Sequence, residues 1–145
     1  MPKALLVYAT RTGDTKTIAM QIAEGIKASG AEVKVVAVKE ITNSSDLQGY
    51  NGYVFGSATY HGEMMEAMKT MLFMAEKANL DGKIGGAFGS YGWSGEAPDR
   101  IYQTMKNVFN MKMTNNSLRI KSPISAAHTP VAQAYGREIG QKIKA

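Results

Sequence analysis

The chain alternates between short, unbroken apolar runs and stretches in which apolar residues return every three to four positions. Ala4, Leu5, Leu6, Val7 and Tyr8 form the first run, closed by Thr10, Arg11, Thr12 and Gly13. Ile18, Ile22 and Ile26 then recur at helical spacing, with Ala19 and Ala23 beside them and Gly30 as the stop. Residues 33–38 read as a second strand. A polar stretch over 42–47 and the turn signal Asn51-Gly52 lead into a third at 53–58. A methionine-rich helix is predicted over 66–79, a turn at Asp81-Gly82, and a fourth strand over 83–89. Pro98 suits the first turn of the next helix, where its missing N–H is not needed; Ile101, Met105, Val108 and Phe109 are its expected inward residues. The fifth strand falls within 117–126. Val131, Tyr135, Ile139 and Ile143 form the face of a final helix.

Strands that read as continuous apolar runs are buried on both faces, as parallel strands are. Five of them alternating with helices predict an α/β protein: a three-layer, doubly wound sandwich in a single domain over residues 1–145. A ligand in such a sheet sits beyond the carboxyl ends of the strands, where the strand order switches. The loops after strands one, three and four are therefore the places for chemistry.

Composition narrows the chemistry. The chain has no cysteine and only two histidines, His61 and His128, so disulfides, thiolate catalysis, iron–sulfur ligation and a protein-built metal site are not expected. No apolar stretch is long enough to span a bilayer, and Met1, Pro2, Lys3 and Ala4 lead directly into a strand without a signal-peptide core. A cytoplasmic protein without a membrane partner is expected. The formal charge of +5 is spread over separate helices, with no run of five basic residues. It reads as a solvated surface, not a nucleic-acid patch.

The first loop, Thr10, Arg11, Thr12, Gly13, Asp14 and Thr15, offers three hydroxyls and a glycine turn at the start of a helix. There, free backbone N–H groups and the positive end of the helix dipole favour a phosphate. The same residues would also serve plain helix capping. The third-strand loop runs Gly56, Ser57, Ala58, Thr59, Tyr60, His61, Gly62 and Glu63. The fourth runs Gly89, Ser90, Tyr91, Gly92, Trp93, Ser94, Gly95 and Glu96. Each sets an aromatic residue among small ones at the same sheet edge. Tyr60 and Trp93, the only tryptophan, could hold a flat ring between them or be ordinary core residues.

Together the three loops resemble those of the flavodoxin family. The first is similar to its T-x-T-G-x-T phosphate loop. The fourth-strand loop has the form seen in clostridial flavodoxins and in the flavodoxin domains of flavodiiron proteins. The resemblance covers nearly the whole chain and, lacking a fifth-strand insertion of about twenty residues, points to the short-chain group. It implies a five-stranded parallel sheet in the order 2-1-3-4-5 and a non-covalently bound FMN. Thr10, Arg11, Thr12, Gly13, Asp14 and Thr15 would bind the phosphate, and Ser57, Ala58 and Thr59 would line the ribityl chain and ring. Tyr60 would lie on the inner face and Trp93 on the outer, with Ser90, Tyr91, Gly92 and Gly95 around the pyrimidine edge. The implied role is a low-potential, monomeric electron carrier between a reductase and an acceptor protein, with no catalytic side chain. The alternative is an FMN-dependent oxidoreductase of the same fold, a quinone reductase or a protoporphyrinogen oxidase-like enzyme. A phosphoacceptor domain would need an acidic pair where this chain has Ala9 and Thr10.

Two departures stand out. The basic net charge contrasts with the acidic family, although Glu63, Glu66, Glu96 and Asp99 suggest an acidic rim near the ring, and Met64 and Met65 an exposed docking patch beside it. His61 takes the place of the family's glycine at the flavin N5, with Gly62 next. A non-glycine residue resists positive φ by roughly 1–2 kcal/mol, which works against a peptide flip at reduction. Redox titration followed by visible absorbance is therefore expected to show the one-electron-reduced flavin accumulating only in part. Accumulation to near completion contradicts this.

Overall fold

A computed structural model describes residues 2–60, 63–92 and 95–145, the side chain of Tyr60 excepted. Strands β1 (Lys3–Ala9), β2 (Glu32–Ala37) and β3 (Gly52–Ser57) are followed by a short hairpin, β4 (Thr59–Tyr60) and β5 (Glu63–Met64). Then come β6 (Ile84–Tyr91), β7 (Lys112–Met113) and β8 (Leu118–Lys121). The helices are α1 (Asp14–Ala28), α2 (Glu66–Lys77), α3 (Glu96–Asn107) and α4 (Thr129–Lys144).

The main sheet is parallel in the order β2-β1-β3-β6, with β7 and β8 both paired to the free edge of β6. This is the expected 2-1-3-4-5 arrangement, with its fifth strand in two pieces. β3 is buried along its whole length, because helices cover both faces. On one face, Leu5, Val7, Tyr53, Phe55 and Ala87 pack against Met68, Met71, Leu72, Ile101 and Met105 of α2 and α3. On the other, Leu6, Val54 and Phe88 meet Ile18, Ile22, Ile26 and Ile139 of α1 and α4. α1 and α4 touch backbone to backbone: a Cβ on Gly25 would collide with the Gln133 carbonyl, and one on Gly136 with the Ile22 carbonyl. Only glycine permits this approach.

Two residues expected to face inward do not. Val108 is 57% exposed and lies beyond the last residue of α3, and Val131 is 53% exposed in the first turn of α4. The helical period was extended past the point where each helix leaves the sheet.

The break in the edge strand has a specific remedy. Gly85 pairs with Met113 and Phe88 with Leu118, so two residues of β6 face four of the edge, Thr114, Asn115, Asn116 and Ser117. The Lys83 and Gly85 carbonyls accept from Lys112 and Thr114 N–H. Ala87, next in the alternation, faces the gap. The Tyr135 hydroxyl fills it, accepting from Ala87 N–H at 3.1 Å. Its single proton lies between the Ala87 carbonyl at 3.0 Å and the Asn116 carbonyl at 2.9 Å, and the Thr114 hydroxyl stands 2.9 Å away, where either oxygen can donate. One phenol thus satisfies both backbone groups that a strand would have paired.

Burial pushes the Tyr135 phenol up to about 12. The folded value is raised above the unfolded value of about 10, so the stabilisation is full below pH 10 and is lost as pH rises through 12. Tyr135→Phe should cost about 1–3 kcal/mol at neutral pH, because Ala87 N–H is left buried without a partner. It should also flatten the loss of stability between about pH 10 and 12. Urea unfolding across pH checks both. An unchanged midpoint at pH 7 contradicts this role.

Candidate functional site

β1, β3 and β6 run in one direction, so the loops at their carboxyl ends meet at one edge. Between β1 and β3 the chain direction of the winding reverses, which opens a crevice there. Helix α1 begins in that crevice without a cap of its own. Its first flanking residue, Gly13, has no side chain to offer and sits at φ +98°. The N–H groups of Asp14, Thr15 and Lys16 consequently have no acceptor within the helix. A Cβ at Gly13 would meet nothing within 4 Å among the described residues, so the outer side of the turn itself is open. Arg11 and Lys16 are exposed on either side, and Asp14 is half-buried; the loop keeps one positive charge in excess.

The hydroxyls of this edge tie the loops together. Thr10 Oγ1 accepts from Gly13 N–H at 2.9 Å and shapes the first loop. Thr15, fully buried, pairs its hydroxyl with that of Ser90 at 2.7 Å, joining α1 to the end of β6. Ser57, also fully buried, accepts from Met65 N–H at 2.9 Å and anchors the start of α2. Thr59 Oγ1 accepts from Ala97 N–H at 3.1 Å and anchors the start of α3. Ala58 N–H donates to the Ala9 carbonyl at 3.2 Å, closing β3 onto β1. Accepting from a backbone amide leaves Thr10 and Thr59 with a hydroxyl proton to donate. Thr12 and Gly92 are exposed, and Tyr91 and Gly95 half-buried, at the same rim. His61, Gly62, Trp93 and the Tyr60 ring lie outside the described residues, so the stacking expected of Tyr60 and Trp93 and the effect of His61 remain expectations.

The acidic rim is largely offset by basic neighbours. Glu63 meets Lys69 at 3.5 Å and Arg100 at 3.4 Å, and Asp99 meets Arg119 at 3.6 Å. Such half-exposed pairs contribute little stability, but they set three cations beside Glu63 and Asp99. Glu63, Glu96, Asp99 and Arg100 line an open groove of about 590 Å³ between the β4–β5 hairpin and α3. The expected methionine docking patch is corrected: Met64 is buried in the core beside α2, and Met65 is half-buried. The hairpin turns Met64 inward where a plain loop would have left it outside.

Sequence reasoning did not find Ala97 or Lys69. Ala97 acts through its main chain, which no residue type advertises. Lys69 reaches Glu63 across a hairpin and a helix start, a pairing without a fixed spacing.

The fold and its edge define a doubly wound α/β protein with an uncapped helix start at the switch point of its sheet. A family profile described as "Flavodoxin" matches residues 6–124, and the chain belongs to the flavodoxin family, whose cofactor is FMN. A flavodoxin from the domain Archaea shares 32% identity with 99% of each chain covered and a TM-score of 0.93. The "Putative diflavin flavoprotein A 2" of Thermosynechococcus vestitus is 33% identical over 98% of this chain but only 25% of its own length. The "Type A flavoprotein fprA" of Rhodobacter capsulatus is 33% identical over 96% of this chain and 33% of its own. The chain thus spans a quarter to a third of these curated relatives. FMN is the cofactor this family membership gives, and the uncapped helix start behind Gly13 fits its phosphate.

Gly13→Ala tests the cradle. With nothing near the new methyl, only the positive φ opposes it, and a cost of about 1–2 kcal/mol is expected in urea unfolding of the apoprotein. A neutral result contradicts the left-handed turn.

Proposed function

We propose that this protein is a low-potential electron carrier that works in the cytoplasm as a monomer and moves electrons between a reductase and an acceptor protein. The observation that carries the proposal is the α1 N-terminus behind Gly13, left without a side-chain cap at the switch point. Thr10, Arg11, Thr12, Gly13, Asp14 and Thr15 hold the phosphate of FMN. Ser57, Ala58 and Thr59 line the ribityl chain and ring, and Tyr91, Gly92 and Gly95 border the pyrimidine edge. Tyr60 and Trp93 cover the two ring faces, with His61 and Gly62 beside the ring. When bound, FMN supplies one- and two-electron chemistry, and the protein supplies binding, orientation and electrostatics. Glu63 is held between Lys69 and Arg100, so its charge adds little repulsion toward a reduced, anionic ring. The rim that a partner protein meets is accordingly mixed in charge.

The longer flavoprotein relatives favour a second reading, in which this unit serves an oxidoreductase on the same fold or attached to it. A solution experiment separates the two. Titrating apoprotein into FMN should quench flavin fluorescence with micromolar or tighter affinity, and the FMN-loaded protein should not reduce quinones with NADPH unless a reductase is added. Absence of quenching overturns the FMN reading. Quinone turnover by the protein alone favours the enzyme.

A further inference from the structure

We propose that Ser90 is a positioning residue for the phosphate end of the FMN site, acting through Thr15, and not a contact for the ring end. The inference rests on the FMN-binding reading above. Ser90 lies on β6, after Gly89 and before Tyr91, where its place in the sequence suggests the ring loop. Its hydroxyl does not open onto that loop. It is 4% exposed and bonds the hydroxyl of Thr15, the second residue of α1, at 2.7 Å. The two residues are 75 positions apart, so the contact belongs to the fold and not to local turn chemistry.

The proton count gives the pair its direction. Two hydroxyls carry two protons, and one proton closes the bond between them. If Ser90 donates, the free proton is on Thr15, which is as closed to solvent as Ser90 but lies in the first turn of α1, between the unsatisfied N–H groups of Asp14 and Lys16. If Thr15 donates, the free proton is on Ser90, inside the end of β6. A doubly charged acceptor at the helix N-terminus favours the first arrangement, and a chain of hydroxyls ending on an anion polarises along its length. Without Ser90, a threonine hydroxyl at a helix start turns to a nearby backbone carbonyl instead. Ser90 thereby sets which way Thr15 points its proton.

The setting supports a dedicated role. Among the described residues, the buried polar side chains are Thr15, Ser57, Ser90 and Thr114. Thr114 belongs to the Tyr135 cluster. Ser57 spends its hydroxyl on Met65 N–H and the Ala58 carbonyl. Thr15 and Ser90 have each other, and their bond ties the first turn of α1 to β6.

FMN and riboflavin differ in the phosphate alone, so their two affinities separate the two ends of the site. In fluorescence titrations of apoprotein, Ser90→Ala should weaken FMN about tenfold or more, the low end of a lost hydrogen bond to a charged group, and leave riboflavin within about twofold. Thr15→Val should do the same, and Thr15→Ser, which keeps the hydroxyl, should restore the wild-type FMN-to-riboflavin ratio. Equal weakening of both ligands by Ser90→Ala places Ser90 at the ring end and overturns the proposal, as does no change in either. If Ser90→Ala does not fold, the Thr15 pair decides: a ratio unchanged in Thr15→Val overturns it. Wild-type protein that binds neither flavin refutes the FMN reading itself, an outcome distinct from all of these.

Discussion

Helix α1 starts with three backbone N–H groups that the helix cannot satisfy and a glycine that cannot cap them. An uncapped helix start normally costs about 1 kcal/mol, and most helices remove that cost with a serine, threonine or aspartate. Here a hydroxyl is available three residues away, and Thr10 uses it to hold the Gly13 amide instead. The chain therefore keeps a concentrated, outward-facing positive dipole at the switch point of its sheet, and the rest of the edge is organised around it. Ser57, Thr59, Thr15 and Ser90 each bind a neighbouring loop or helix start, so the loops are braced before any ligand arrives. Preorganisation of this kind reduces the ordering cost of binding.

Much of this was legible in the sequence. Doubly buried parallel strands read as plain apolar runs, and the isoleucines of α1 recur on one face, so the layers and the three loops could be placed from pattern alone. The fifth strand could not. Its division into β7 and β8 depends on Tyr135, which reaches the gap from a helix some twenty residues later, and hydrophobic period identifies that tyrosine only as a core residue. Val108 and Val131 show the opposite error, a period continued past the end of its helix face. At the site, the residue types were readable but their partners were not. Ser90 lies near the end of β6, far from α1 in sequence, yet it reaches the first turn of that helix in space.

Charge behaves similarly. Counting carboxylates near the third loop suggested an acidic rim, but Glu63 and Asp99 are matched by Lys69, Arg100 and Arg119 from other elements. On a chain of net charge +5 this leaves a mixed rim on a basic body. A partner would be recognised by local pairing more than by long-range steering, with correspondingly modest salt dependence.

The central claim is that the carboxyl edge of β1, β3 and β6 holds FMN with its phosphate on the start of α1. Amide NMR of isotopically labelled apoprotein during an FMN titration tests it most directly. The largest shifts should fall on Gly13, Asp14, Thr15 and Lys16, with further shifts in the loops after β3 and β6 and little change at the opposite end of the sheet. Shifts confined to the groove between the hairpin and α3, with the amides of the α1 start unmoved, would contradict it.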